Sequence, residues 1–147
     1  MSGSINLIRP SPSITACWPA TCTSLARNNL AYLMAEHQPT AENLARAHKL
    51  SSETLEDHPE EPSFLDTMGW ILCKQGNYAQ AKTYLEKALE LAPKQPAMLY
   101  HLAWCEAKLG ETAAARATLK KALASQTRFM ERDAAQKLLD SLPAEGN

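Results

Sequence analysis

An all-α fold of stacked helix pairs is what this sequence predicts, and three observations carry that reading. The stretch LDTMGWILCKQG (65–76) is nearly repeated by LYHLAWCEAKLG (99–110), at an offset of 34 residues. The same offset aligns Pro62, Lys74, Gly76, Ala79, Ala81, Leu85, Lys87, Ala88 and Leu89 with Pro96, Lys108, Gly110, Ala113, Ala115, Leu119, Lys121, Ala122 and Leu123. Within each copy the apolar residues recur at helical spacing, as in Leu65, Met68 and Leu72 with Gly69 between them. A fixed period of this size marks supersecondary units stacked side by side.

Taken in order, residues 1–23 are rich in Ser, Thr and Pro and are expected to form a flexible tail that adds little to the core. Pro10, Pro12 and Pro19 interrupt any helix there. Trp18 is the one residue expected to cover the first helix if that tail is an irregular cap. Helical pattern starts near Ser24–Leu25, and a first repeat is expected over about 24–61. Leu30, Ala31, Tyr32 and Met34 lie 38 residues before Met68, Gly69, Trp70 and Leu72, whereas Ala45, Ala47, Leu55 and Pro59 lie 34 before Ala79, Ala81, Leu89 and Pro93. Some four residues are therefore inserted around Gln38–Ala41, between the two helices. Ser51 and Thr54 replace a Leu and an Ala, so this repeat is expected to pack less tightly. Arg27 falls where a buried apolar residue is expected.

The second repeat spans about 62–95. Ser63 is positioned to cap its first helix, with Asp66 three residues on, and Gly76 ends it. Asn77 is positioned to cap the second helix, whose expected inner face is Ala81, Tyr84, Leu85, Ala88 and Leu91, before Pro93 and Pro96. Gly69 with Ala81, and Ala103 with Ala115, are placed where the helices cross, because a larger side chain there would hold them apart. The third repeat is expected at 96–127. A final helix over 128–142 has Phe129, Ala134 or Ala135, Leu138 and Leu142 on its apolar face, and 143–147 is a tail.

The pattern L-x2-M-G-x2-L…A-x3-L-x2-A…P resembles the tetratricopeptide repeat. The resemblance implies a TPR α-solenoid of three helix pairs plus a C-terminal capping helix, curved into a right-handed arc. It also implies that the concave side, lined by the first helix of each pair, holds a peptide or partner protein. The array needs its final helix because the last repeat would otherwise expose its stacking face. A weaker resemblance, over about 28–142, is to the C-terminal end of large bacterial TPR proteins. Many of those serve cell-envelope assembly or export, which implies a chain that is the tail of, or derived from, a longer array.

On each first helix, the residue after the small one is expected to face the concavity: Tyr32, Trp70 and Trp104. One turn earlier lie Asn28, Asp66 and Tyr100, with His101 beside the last. One turn later lie Ala35 or Glu36, Cys73 or Lys74, and Ala107 or Lys108. The expected partner-binding set is Asn28, Tyr32, Asp66, Trp70, Lys74, Tyr100, His101, Trp104 and Lys108. Aromatic residues there suit peptide contact, and a second reading stays open in which the two Trp wedge between neighbouring helices as core. Some members of the family grip a chaperone's terminal carboxylate with Lys, Arg and Asn. The corresponding places here hold Asn28, Tyr32, Thr67, Ala97 and His101, of which only the Asn fits, so a chaperone-type ligand is not expected.

Composition narrows the classes. The chain has 147 residues, 45% apolar and 21% charged, with a net charge of −1. Nothing draws it strongly to nucleic acid or an anionic membrane, and no apolar run reaches the length of a membrane span. The acidic run from Glu53 to Glu61 reads as a solvated helix end, and His37, His48 and His58 as surface residues. Cys73 and Cys105 read as packing residues; for Cys17 and Cys22 free thiols fit better, with a bridge as the alternative. No nucleophile–base set or phosphate loop is visible. The expected function is a non-catalytic protein-interaction adaptor with no metal and no cofactor. The alternative is a self-associating structural module, a homo-oligomer, of a larger envelope or export assembly. In the absence of a leader pattern the expected compartment is the cytoplasm, with the periplasm as the alternative for a piece of a longer exported protein.

Overall fold

The computed structural model describes residues 20–144, so most of the expected N-terminal tail and the last three residues lie outside the description. Seven helices and no strand occur among the described residues: α1 (Ala20–His37), α2 (Ala41–Asp57), α3 (Pro62–Lys74), α4 (Tyr78–Leu91), α5 (Pro96–Lys108), α6 (Thr112–Ala124) and α7 (Arg132–Ser141). They form the pairs α1/α2, α3/α4 and α5/α6, each stacked on the next, with α7 closing the end against α6. Helix α1 starts ahead of the expected Ser24–Leu25. Helix α7 starts after Phe129, which packs against the core from the preceding loop.

Local chemistry sets the ends of these helices. Pro62 and Pro96 occupy the first turn of α3 and α5, where a missing N–H costs nothing. The N-cap of α3 is therefore Glu61 and not Ser63: the Glu61 carboxylate accepts from the Ser63 hydroxyl at 3.0 Å. Asp66, expected to complete a capping box, turns inward instead. Asn77 stands at the N-cap of α4, but its side chain makes no capping bond. Gly76 and Gly110 end α3 and α5 in the left-handed region, at φ 87° and 82°. There the N–H of Asn77 reaches the Leu72 carbonyl at 2.9 Å, and that of Glu111 reaches Glu106 at 2.8 Å. Both carbonyl groups are thereby satisfied at a turn that favours glycine.

The residues inserted in the first repeat do not lengthen its loop. Three residues join α1 to α2, as three join α3 to α4. The insertion becomes an extra turn at the start of α2, which has 17 residues against 14 in α4. Thr40 fixes that turn by accepting the N–H of Asn43 at 3.1 Å.

Packing follows the small residues. Ala31, Ala47, Ala81, Ala103 and Ala115 are fully buried. A Cβ on Gly69 would lie 2.6 Å from Leu85 Cγ and 3.3 Å from the Ala81 carbonyl oxygen, so α3 and α4 touch backbone to side chain. Each first helix also rests on the second helix of the preceding pair, α3 on α2 and α5 on α4. Leu65 and Met68 of α3, and Leu99 and Leu102 of α5, are buried. In α1 the corresponding Arg27 and Leu30 are not buried as expected. Arg27 pairs with Asp57 at 3.8 Å, and Leu25, Leu30 and Leu33 are 48, 49 and 50% exposed. The buried side of α1 is instead Ser24, Asn28, Ala31 and Ala35. Ser51 and Thr54 are buried as fully as their counterparts Leu85 and Ala88, but they bring less apolar volume. One further expectation is corrected, since Leu91 is exposed, and of the two alanines left open in α7 it is Ala135 that is buried.

Replacing Gly69 by Leu is expected to force α3 and α4 apart and lower stability by about 1–3 kcal/mol, read as a shift in the denaturant midpoint. An unchanged midpoint would show that the crossing has room that this packing denies.

Candidate functional site

The first helices α1, α3 and α5 lie side by side and present one concave face. Because the array curves, side chains from non-neighbouring helices meet across it. The Tyr32 hydroxyl of α1 donates to Glu131, just before α7, at 3.2 Å. Its ring lies 6.1 Å from that of His101 on α5. Burial, then the carboxylates of Glu131 and Glu36, push the Tyr32 phenol well above its ordinary pKa, so it remains a donor. Tyr100 is shifted the same way by burial and by Glu36 and Glu131.

One helical turn of the face is given over to a buried pair. His101 Nδ1 lies 2.8 Å from Asp66 Oδ1, and the imidazole stacks on Trp70 at 4.3 Å between centroids. His101 and Trp70 are each only 2% exposed. Burial alone would lower the His101 pKa. The charge and hydrogen bond of Asp66 outweigh it, with Glu131 and Glu36 assisting, and hold it above the usual histidine value. The indole N–H of Trp70 donates to Glu36 at 2.8 Å.

Toward the C-terminal ends of the helices the face opens. Trp104 is only partly buried, meets Trp70 edge-on at 5.2 Å, and has Tyr78 at 6.2 Å. Lys74 Nζ sits 4.7 Å from the Trp70 centroid and 5.4 Å from that of Trp104, and Lys108 Nζ sits 4.9 Å from Trp104. Below them are two thiols: Cys105 Sγ donates to the Tyr78 carbonyl at 3.0 Å. The neighbouring Cys105 thiol and burial push the Cys73 thiol up, which keeps it protonated.

The nine residues expected to bind a partner thus divide. Tyr32, Trp70, Lys74, Tyr100, His101, Trp104 and Lys108 form one contiguous cluster with Asp66 paired into it. Within it Asp66, Trp70, Tyr100 and His101 are buried. Asn28 is buried on the inner side of α1. Tyr32, Lys74 and Trp104 are half-buried and Lys108 is exposed. Glu131 and Tyr78 join the cluster without having been foreseen. Extending the period by 34 from Ala97 reaches Glu131, which was the available signal. Among the described residues no group of three or more His, Cys, Asp or Glu could hold a metal, and no helix is long and apolar enough to cross a membrane.

Stacked helix pairs with an aromatic concave face and a closing helix define a helical-repeat solenoid. Two sequence models of the tetratricopeptide repeat match the chain, over residues 23–94 and 72–128, and the chain belongs to the tetratricopeptide repeat family. A TPR repeat-containing protein of Pseudomonas aeruginosa is 36% identical over 66 residues, which is 42% of this chain. The match spans about a tenth (10%) of that relative's length. Among solved structures, the Yersinia enterocolitica type III secretion chaperone SycD, in complex with a peptide of the translocator YopD, has a TM-score of 0.66 at 21% identity. That match covers 82% of this chain and 92% of SycD. The TPR2B domain of yeast Sti1, in its pHsp70 complex, has a TM-score of 0.65 at 20% identity, covering 78% and 94%. Both share the fold.

His101 gives the site a pH signature. A histidine held above its unfolded pKa contributes stability that is fully present below the unfolded value of about 6.5 and is lost as pH rises through the folded value. The melting temperature of the chain is therefore expected to fall as pH rises across that window, and His101→Gln is expected to flatten this part of the profile. A profile with the same slope in both proteins would assign the effect elsewhere.

Proposed function

We propose that this chain is a non-catalytic protein-interaction module whose partner docks on the open part of the concave face, around Trp104, Lys74 and Lys108. The single observation that carries the reading is a half-buried aromatic flanked by two lysines, in line with the buried ladder beneath it. Half-exposed tryptophans rimmed by polar groups are favoured anchors of protein interfaces. The peptide-bound state of SycD and the pHsp70-bound state of Sti1 TPR2B support it by analogy of fold. Burial argues against catalysis by the one acid–base pair. His101, Cys73 and Cys105 are at most 2% exposed, and the Trp70 indole stacks on the His101 ring.

A second reading, self-association, is favoured by α1. In α3 and α5 the stacking face is covered by the preceding pair, but in α1 Leu25, Leu30 and Leu33 stand half-exposed on it. A helix apolar on both sides is normally covered on both.

Two measurements separate these. Chain immobilised in native-host lysate is expected to capture partners that Trp104→Leu loses while keeping its melting temperature; capture unchanged by that substitution would remove the concave-face reading. In sedimentation, concentration-dependent dimers abolished by Leu30→Glu would favour the second reading, and monomers throughout would dismiss it.

A further inference from the structure

We infer that the concave face closes and opens with the proton of His101, through a latch made by Glu131 and Tyr32. Glu131 is the N-cap residue of α7, yet its side chain makes no capping bond. It accepts instead from the Tyr32 hydroxyl of α1 at 3.2 Å, and so ties the start of the last helix to the first helix. Two further contacts complete a circuit. The Trp70 indole of α3 donates to Glu36 of α1 at 2.8 Å, and Asp66 of α3 holds His101 of α5 at 2.8 Å. His101 stands within this circuit, stacked on Trp70 at 4.3 Å and 6.1 Å from the Tyr32 ring.

The charges around His101 are unbalanced. Glu36 and Glu131 are bonded by neutral donors and keep their negative charge. Three carboxylates therefore act on one imidazole: Glu36 from α1, Asp66 from α3 and Glu131 from the start of α7. The phenols of Tyr32 and Tyr100 beside it stay neutral, held above their ordinary values by burial and by Glu131 and Glu36. Lys74 of α3 adds one cation, 4.7 Å from the Trp70 centroid. Helices α4 and α6 meet α5 elsewhere, through the Tyr78 carbonyl at Cys105 and through Thr118 at Glu106. The buried Nε2 of His101 has no hydrogen-bond partner among the described residues, so its proton is kept by the surrounding charge and not by an acceptor.

With that proton present, the imidazolium offsets all three carboxylates. Without it they remain near one another in a poorly hydrated place, where like charges are weakly screened. The tie that yields is the longest one. Asp66 and Glu36 are held at 2.8 Å, whereas Glu131 is held at 3.2 Å. Glu131 also ends the connecting segment between α6 and α7, so it can move without breaking a helix. Once it leaves Tyr32, the groove widens between α1 and the start of α7. Burial works to lower the His101 pKa, and Asp66, Glu131 and Glu36 outweigh it. The latch is therefore closed at low pH and released as pH rises through the raised value.

The test follows amide hydrogen exchange of the full chain by NMR from about pH 5 to about pH 9, across the histidine range, while the His101 ring signal is titrated in the same samples. The reporter is the Ala135 amide, bonded to the Glu131 carbonyl at 2.8 Å. The reference is the Ala81 amide of α4, bonded to Asn77 at 2.9 Å. As His101 loses its proton, Ala135 protection is expected to fall about fivefold beyond any fall at Ala81, the scale of one partly screened charge contact. Glu131→Gln keeps an acceptor for Tyr32 without the charge. It is expected to abolish that step and to lower the His101 midpoint. Tyr32→Phe is expected to show the low Ala135 protection at every pH. Should Tyr32→Phe fail to fold, Glu131→Gln, at a half-buried site, decides alone. Ala135 protection that does not fall, or falls only as far as that of Ala81, would overturn the latch. So would an unchanged step in Glu131→Gln, or a step whose midpoint departs from that of the His101 ring.

Discussion

Everything in this molecule depends on how closely the two helices of each pair approach. Gly69 lies against Leu85 and the Ala81 backbone with no space for a methyl group, and alanines serve at the other crossings. Dispersion and apolar burial act over such short distances that a fraction of an ångström decides whether a crossing is packed or leaves a gap. Close crossings repeated at a fixed period also set the curvature of the array.

The concave face that results is divided in its chemistry. In its deeper part His101 pairs with Asp66, Trp70 donates to Glu36 and Tyr32 donates to Glu131, while the buried His101 Nε2 has no hydrogen-bond partner among the described residues. A buried charge requires such pairing, and the stacked imidazole and indole leave no cavity between them. The part near the helix ends has aromatic area and positive charge without an internal partner.

The first repeat has the most polar core of the three among the described residues. Its core positions hold Ser24, Asn28, Ser51 and Thr54. The Ser24 and Ser51 hydroxyls and the Asn28 carbonyl oxygen find no hydrogen-bond partner among the described residues. A buried polar atom left so costs on the order of 1–3 kcal/mol. Together with the uncovered leucines of α1, this makes the first pair the most dependent on what packs beside it.

The sequence by itself determined the period, the helix pairs, the terminal glycines, the crossing residues and the row of aromatics, because each of these is a local contact repeated every 34 residues. It also carried the lysines beside that row. It did not reveal where the first repeat's extra residues go, since an added helical turn and a longer loop have the same length. Nor did it reveal that Asp66 leaves its capping role for His101, or that Trp70 is buried while Trp104 stays partly open. The pairing of Asp66 with His101 joins residues 35 positions apart, and the contact of Tyr32 with Glu131 joins residues 99 apart. They arise from curvature summed over successive stackings, a quantity that no single repeat contains and that only the tertiary structure decided.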